Sequence, residues 1–138
     1  MKRFAIIVIV CLMISACGKK EVKKETEEGR IASEIIVVSE QLRQAYIARD
    51  LQTIQRHTTS TVYRQITQYI NEYKVIDIEF KPVWVEIDTK GVTLNISWKG
   101  KWEKSGKNIE DRGMAIFEFT GQPPRVAKIL RANPFEYR

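Results

Sequence analysis

Hydrophobic residues recur at helical spacing at the start of a domain that begins near residue 31. Steps of three and four residues form one apolar stripe, which predicts a helix over residues 31–49. The members of this stripe are Ile31, Ile35, Val38, Leu42, Ala45 and Tyr46. Asp50 is placed to cap a short second helix over residues 51–57. A second apolar stripe predicts a third helix over residues 61–73, which Ser60 would cap.

The hydrophobic period then changes from 3.6 to 2, which indicates strands. Alternation over residues 76–87 shifts its phase at Pro82, and this shift predicts a strand with a bulge. Three more strands are predicted over residues 92–102, 109–119 and 125–132, with short turns between them. Helices followed by strands in this way are typical of an α+β fold. The helices would pack on a curved antiparallel sheet of about four strands.

The first residues of the chain form a separate pattern. Lys2 and Arg3 precede an uncharged run of 11 residues that ends at Ile14, well short of the roughly 20 residues that a membrane-spanning helix needs. The run is followed by Ser15-Ala16-Cys17, and the whole resembles the lipobox of bacterial lipoproteins. The resemblance implies cleavage between Ala16 and Cys17 and acylation of the Cys17 thiol. An ordinary signal peptide or a short anchor is the alternative.

The lipobox divides the chain into three parts. The resemblance implies that residues 1–16 form a lipoprotein signal peptide, that residues 17–30 comprise the lipidated Cys17 and a flexible charged tether, and that residues 31–138 form the folded domain. Gly18 after the lipidated cysteine resembles the pattern of lipoproteins sent to the outer membrane. The expected location is therefore the bacterial cell envelope, with the domain facing the periplasm. Acylated Cys17 would hold the protein on the membrane.

Composition and charge narrow the function classes. The 138 residues carry a net charge of +6, but seven of the 23 basic and four of the 17 acidic residues precede Ile31. The domain is left with about +3, too little to indicate a nucleic-acid partner. With one His, and with two Cys of which Cys17 would be acylated and Cys11 removed, no metal site is expected. No glycine-rich phosphate loop or other cofactor motif is present, so no cofactor is expected either.

Two stretches of the domain resemble a known superfamily. The first helix ends in Ala45-Tyr46-Ile47-Ala48-Arg49-Asp50-Leu51, and the last strand ends in Arg131-Ala132-Asn133-Pro134-Phe135. Both are similar to phrases of the nuclear transport factor two-like superfamily, also called cystatin-like, and the likeness extends from Ile31 to Phe135. It implies a cone-shaped α+β fold with a pocket between sheet and helices. Members include ketosteroid isomerases, polyketide cyclases and many non-catalytic binding modules, so the fold leaves the function open.

Six residues are candidates to line such a pocket: Tyr46, Trp98, Trp102, Asp111, Phe117 and Phe119. The aromatic residues serve equally well as sheet core, Tyr46 as a core tyrosine bonded at a rim, and Asp111 as a solvated strand end. His57, the single histidine, is expected at the end of the second helix. No spacing forces two of these groups together as a catalytic pair, so no catalytic residue is assigned.

The expected function is that of a non-catalytic binding or assembly module for a protein partner or an apolar small molecule. A homodimer through the open sheet face is a further expectation, which exposure of Trp84, Met114 or Ile116 would support. The alternative is a pocket enzyme of the ketosteroid isomerase or polyketide cyclase type, with Tyr46 and Asp111 in one cavity. Four lysines near one hairpin would protect a sheet edge or contact acidic headgroups. They are Lys99, Lys101, Lys104 and Lys107.

Overall fold

The structure is a computed structural model, and it describes residues 24–137. Three helices precede four strands. They are α1 (Glu27–Ala48), α2 (Leu51–His57), α3 (Ser60–Thr67), β1 (Lys74–Asp88), β2 (Gly91–Lys104), β3 (Lys107–Thr120) and β4 (Arg125–Arg131). The strands form one antiparallel sheet in the order β1-β2-β3-β4. The predicted α+β fold with a four-stranded antiparallel sheet is confirmed. The lipobox and Cys17 lie outside the described residues.

Helix α1 begins at Glu27 and not at the predicted Ile31, so the last residues assigned to the tether are helical. The Thr26 hydroxyl accepts a hydrogen bond from the Gly29 N–H at 3.1 Å and caps the helix. Glu27 lies in the first turn, where a negative charge interacts favourably with the helix dipole. Periodicity missed this turn because its residues are polar and exposed. They are held by caps and charges, not by packing.

Helix α2 matches its predicted bounds, and Asp50 caps it by accepting a hydrogen bond from the Thr53 N–H at 3.1 Å. Helix α3 is shorter than predicted: it ends at Thr67, and Thr59, not Ser60, occupies the N-cap position. The Thr67 hydroxyl donates to the Tyr63 carbonyl at 2.8 Å, a local bond of the kind that weakens a helix. The chain then turns, and Ile70 is buried without continuing the helix.

The strands are held in register by tight turns and one predicted bulge. The register of β1 against β2 shifts between Pro82 and Trp84, as the phase change in the sequence indicated. Asp88 closes the first hairpin, because its side chain accepts hydrogen bonds from the N–H groups of Lys90 and Gly91. The second hairpin turns at Ser105 and Gly106, which both have positive φ, as a two-residue hairpin turn requires.

The core lies between the helices and one face of the sheet, called here the inner face. Its largest fully buried side chains from the sheet are Trp102, Phe117, Ile78, Leu94, Ile96 and Val126. They pack with the buried stripe of α1, which contains Ile35, Leu42 and Tyr46. The Trp102 ring crosses Gly100 so closely that a Cβ there would lie 1.9 Å from it. Only glycine fits at this position.

Candidate functional site

The C-terminal segment, residues 132–137, fills the space in which the sequence predicted a pocket. Phe135 is 1% exposed. Its ring stacks on Phe117 with the centroids 6.2 Å apart, and it meets Tyr46 edge-on at 4.9 Å and Phe80 edge-on at 5.8 Å. A side chain of this size in contact with three aromatic rings completes the core between α1 and the sheet.

Hydrogen bonds hold the same segment by its backbone. The Tyr46 hydroxyl donates to the Phe135 carbonyl at 3.0 Å, and this bond is buried. The Trp98 Nε1–H donates to the Ala132 carbonyl at 2.9 Å. Tyr137 then packs against Trp102 with the centroids 6.0 Å apart. Side chains of α1 and β2 therefore bind an irregular stretch of chain that has no ladder of its own.

The structure brings together four of the six candidate pocket residues and separates the other two. Tyr46, Trp98, Trp102 and Phe117 surround the C-terminal segment, as described above. Phe119 is buried on the inner face but borders a surface groove near Ile31 and Ile35, towards the start of α1. Asp111 is exposed, and its carboxylate accepts a hydrogen bond from the Arg112 N–H at 2.8 Å. Asp111 therefore lies at a solvated part of β3.

Tyr46 and His57 are both poorly placed for acid–base catalysis in the interior. Burial raises the pKa of Tyr46 to about 12, and the hydroxyl already donates a hydrogen bond to the Phe135 carbonyl. Such a phenol stays neutral at physiological pH. His57 is half-buried at the end of α2, where burial first and the Arg56 charge second lower its pKa. It lines a shallow groove with Asp50 and Arg56, outside the core.

The opposite face of the sheet, called here the outer face, carries an apolar row that crosses all four strands. The pairing register places four residues side by side in this outer row: Trp84, Asn95, Ile116 and Leu130. Trp84 is 51% exposed and Leu130 41%. Met114 is half-buried in the neighbouring row, paired with Ser97. Of the three residues whose exposure would support the sheet-face expectation, Trp84 is exposed, whereas Met114 and Ile116 are half-buried. Leu130 was not among them, because β4 is too short for a clear alternation.

A charged groove of about 600 Å³ lies on the same face of β1, β2 and β3, separated from the outer row by the row of Lys81, Ser97 and Met114. Its charged lining residues are Asp77, Glu79, Lys99, Lys101, Glu110, Asp111 and Arg112. Lys101 pairs with Glu110 at 3.0 Å, so part of the positive charge is neutralised within the groove. Lys104 points elsewhere and lies 4.5 Å above the Tyr73 ring. The four predicted hairpin lysines therefore do not form one basic surface.

Two wider searches of the described residues concern metals and membranes. Among residues 24–137, no three His, Cys, Asp or Glu side chains gather as a metal-binding group. None of the helices described between those residues combines the length and the apolar character needed to cross a membrane.

Comparisons with known proteins return no match. No family model matches the chain, and neither the curated proteins nor the solved structures contain a significant relative. The functional interpretation therefore depends on the residues and their geometry.

Replacing Phe135 by alanine should open the predicted pocket. We expect Phe135→Ala to lower the free energy of unfolding by about 3–5 kcal/mol, because it removes a fully buried ring and leaves a cavity. Phe135→Leu, which keeps most of the volume, should cost less. Denaturant unfolding measures both losses. Equal stability of Phe135→Ala and the unmodified chain would contradict the buried position of this ring.

The buried hydroxyl of Tyr46 should make stability fall at alkaline pH. Its pKa is raised from 10.0 to about 12 in the folded state, so the unfolded chain loses this proton first. The protonated Tyr46 hydroxyl contributes its full stabilisation below pH 10. This contribution, on the order of 2 kcal/mol, is lost as the pH rises towards 12. Tyr46→Phe lacks the hydroxyl and therefore this pH-dependent contribution. The difference in free energy of unfolding between the unmodified chain and Tyr46→Phe should therefore decrease between pH 9 and pH 11.5. In the control variant Tyr63→Phe, the difference in free energy of unfolding from the unmodified chain should not change over this pH range. A difference that also stays constant for Tyr46→Phe would contradict the burial of the Tyr46 hydroxyl.

Proposed function

We propose that this chain is a lipid-anchored module of the bacterial cell envelope that binds a protein partner through the outer face of its sheet. The observation that carries the proposal is the outer row, in which Trp84 and Leu130 are 51% and 41% exposed on a face without a covering helix in the described part of the chain. Trp is enriched among the residues that dominate the binding energy of protein interfaces, and an exposed apolar patch marks an interaction site. The order of helices and strands also suits the nuclear transport factor two-like resemblance, which we retain as part of the proposal.

Binding is favoured over catalysis by the state of the interior. A pocket enzyme of the isomerase or cyclase type needs a base and a polarising group within reach of one bound substrate. The Tyr46 hydroxyl instead donates to Phe135, and Asp111 is exposed on β3. Tyr46 is thus buried and Asp111 is exposed, so the two groups that the enzyme alternative requires do not face one cavity.

A protein partner is favoured over an apolar small molecule by the same segment. Phe135 occupies the space between α1 and the sheet where an apolar ligand would lie, and it is 1% exposed there. A small molecule would have to displace Phe135 together with the bond from Tyr46. The outer row offers its apolar surface with no such displacement.

The lipobox supports the membrane anchor. Because α1 begins at Glu27 and Thr26 caps it, the tether in this proposal extends from Cys17 to Glu25. Nine residues span at most about 30 Å even when fully extended, so the domain would remain close to the membrane surface. The lack of an Asp after Cys17 favours the outer membrane, with the domain in the periplasm.

The anchor has a matched pair of tests within this chain. Cys17→Ser should abolish labelling with a palmitate analogue and move the protein out of the membrane fraction, because the acceptor thiol is lost. Cys11→Ser, inside the signal peptide, should leave both unchanged. Metabolic labelling and membrane fractionation measure the two effects. A labelled Cys17→Ser protein would contradict acylation at this residue.

The outer face is tested by a photo-crosslinking residue placed at Trp84 or Leu130 of the full chain in its native membranes. Each of the two positions should give a discrete adduct with a protein. With the crosslinker at position 84, Leu130→Lys should lower the yield of this adduct about tenfold, and with the crosslinker at position 130, Trp84→Lys should do the same. Val37, which is 53% exposed on α1, is the control for both the crosslinker and the Lys substitution. Adducts at Val37 but not at the outer row would contradict the proposal.

A further inference from the structure

We propose that the partner protein binds the outer face through an acidic side chain next to an apolar one, with the acid over Lys99 and Arg112 and the apolar group beside the outer row. This inference rests on the proposed function, because it names the chemistry of the partner assigned there. Two observations carry it: a like-charge pair on the central strands, and the spacing of this pair from the apolar residues of the same face.

Two neighbouring rows of the outer face carry charged residues on the same three strands. In the first of them, called here the balanced row, Asp77, Lys101 and Glu110 lie side by side on β1, β2 and β3. The charges alternate along this row, and Lys101 forms an ion pair with Glu110 at 3.0 Å. The cation of the balanced row thus has an acid on either side.

The next row, called here the unbalanced row, contains Glu79, Lys99 and Arg112. Arg112 occupies the position at which the balanced row has an acid, so it lies directly opposite Lys99, with the Cα atoms about 5 Å apart. Like charges directly opposite one another destabilise a sheet. None of the ion pairs of the strands within residues 24–137 includes Lys99 or Arg112. An acid supplied by another molecule would relieve this contact.

Two local roles for the like-charge pair do not fit its position. Lysines often protect the edges of sheets, but β2 and β3 are the central strands. Asp111 is adjacent to Arg112, but its carboxylate accepts a hydrogen bond from the Arg112 backbone N–H and not from the guanidinium. Adjacent residues of a strand also point to opposite faces. The guanidinium can therefore bind a carboxylate of a partner, with two parallel hydrogen bonds.

The row between the unbalanced row and the outer row sets the spacing of the site. It contains Lys81, Ser97 and Met114. Lys81 is exposed and adds a third cation, and Met114 is half-buried and adds apolar surface. Residues on one face of a strand are about 7 Å apart, so Met114 lies about that distance from Arg112 on one side and from Ile116 on the other. In an extended peptide, an acid and an apolar residue two positions apart have the same spacing.

An acidic protein segment is favoured over acidic lipid headgroups by the position of the tether. The start of α1 lies beside Glu86, near the last residues of β1. From Glu86 to Glu79 the strand extends over about 23 Å, so the unbalanced row lies towards the end of the sheet that is remote from the tether. The membrane that holds the anchor is thus the less favourable source of negative charge.

The experiment places a photo-crosslinking residue at Met114 of the full chain in its native membranes. The adduct should be with a protein, and its cross-linked peptide should contain Asp or Glu within three residues of the attachment point. Arg112→Glu should lower the adduct yield about tenfold, because two acids would then face each other. Arg112→Lys, which keeps the charge, should retain most of the yield. Lys107→Glu, the same charge change at the exposed start of β3, should leave the yield unchanged.

The stability of Arg112→Glu separates lost binding from lost folding. This variant gives the unbalanced row the alternating charges of the balanced row, so its thermal midpoint of unfolding should not fall. Should the crosslinker at Met114 disturb the fold, the same loss should be measured with the crosslinker at the exposed Leu130.

A lower midpoint for Arg112→Glu, an adduct with phospholipid, or a cross-linked peptide without an acid overturns the acidic partner. If Arg112→Glu leaves the yield unchanged while positions 84 and 130 still give protein adducts, the acidic partner is wrong and the proposed function stands. If positions 84, 114 and 130 all give no protein adduct, both are wrong.

Discussion

The structure depends on the insertion of its own C-terminal segment between the first helix and the sheet. The Phe135 ring contacts the rings of Tyr46, Phe80 and Phe117. Its carbonyl accepts a buried hydrogen bond from the Tyr46 hydroxyl. Burial of such a side chain is worth about 1.5–3 kcal/mol, and a satisfied buried hydrogen bond adds about 1 kcal/mol. The segment bonds to β3 only at its start, where the Ala132 N–H donates to the Met114 carbonyl at 3.1 Å, and beyond that residue these side-chain contacts fix its position. Helix, sheet and chain end are thereby joined at one place.

Because of this insertion, the inner face of the sheet is buried while the outer face remains exposed. Core side chains cover the inner face: Trp98 and Trp102 are buried, and a Cβ on Gly100 would meet the Trp102 ring. The outer face keeps an apolar row whose two ends, Trp84 and Leu130, are exposed. A domain organised in this way has little interior left for a substrate, whereas its surface has a patch that water solvates poorly. The proposed binding role follows from that contrast.

The sequence predicted most of the elements, and the differences have physical causes. The Asp50 cap located α2, and the alternation of apolar and polar residues located β1, β2 and β3, because those strands bury one face. Periodicity failed at the start of α1 and the end of α3, where Thr26 and Thr67 form local hydrogen bonds that leave no hydrophobic pattern. Of the candidate site, the aromatic residues around Tyr46 were found. That Phe135 would fill the space among them was not, because a non-periodic tail gives no signal of what it contacts.

The most direct test of the account is hydroxyl-radical footprinting of the lipoprotein in its native membranes and after dilute solubilisation into single chains. In membranes, Trp84, Met114 and Leu130 should be protected from oxidation, while Val37 remains as reactive as in the single chains. Phe135 should stay unreactive in both states, because the folded core covers it. Equal oxidation of Trp84 and Leu130 in the two states would contradict the outer face as the interaction surface. Oxidation of Phe135 in the membrane state would contradict the closed interior from which the account starts.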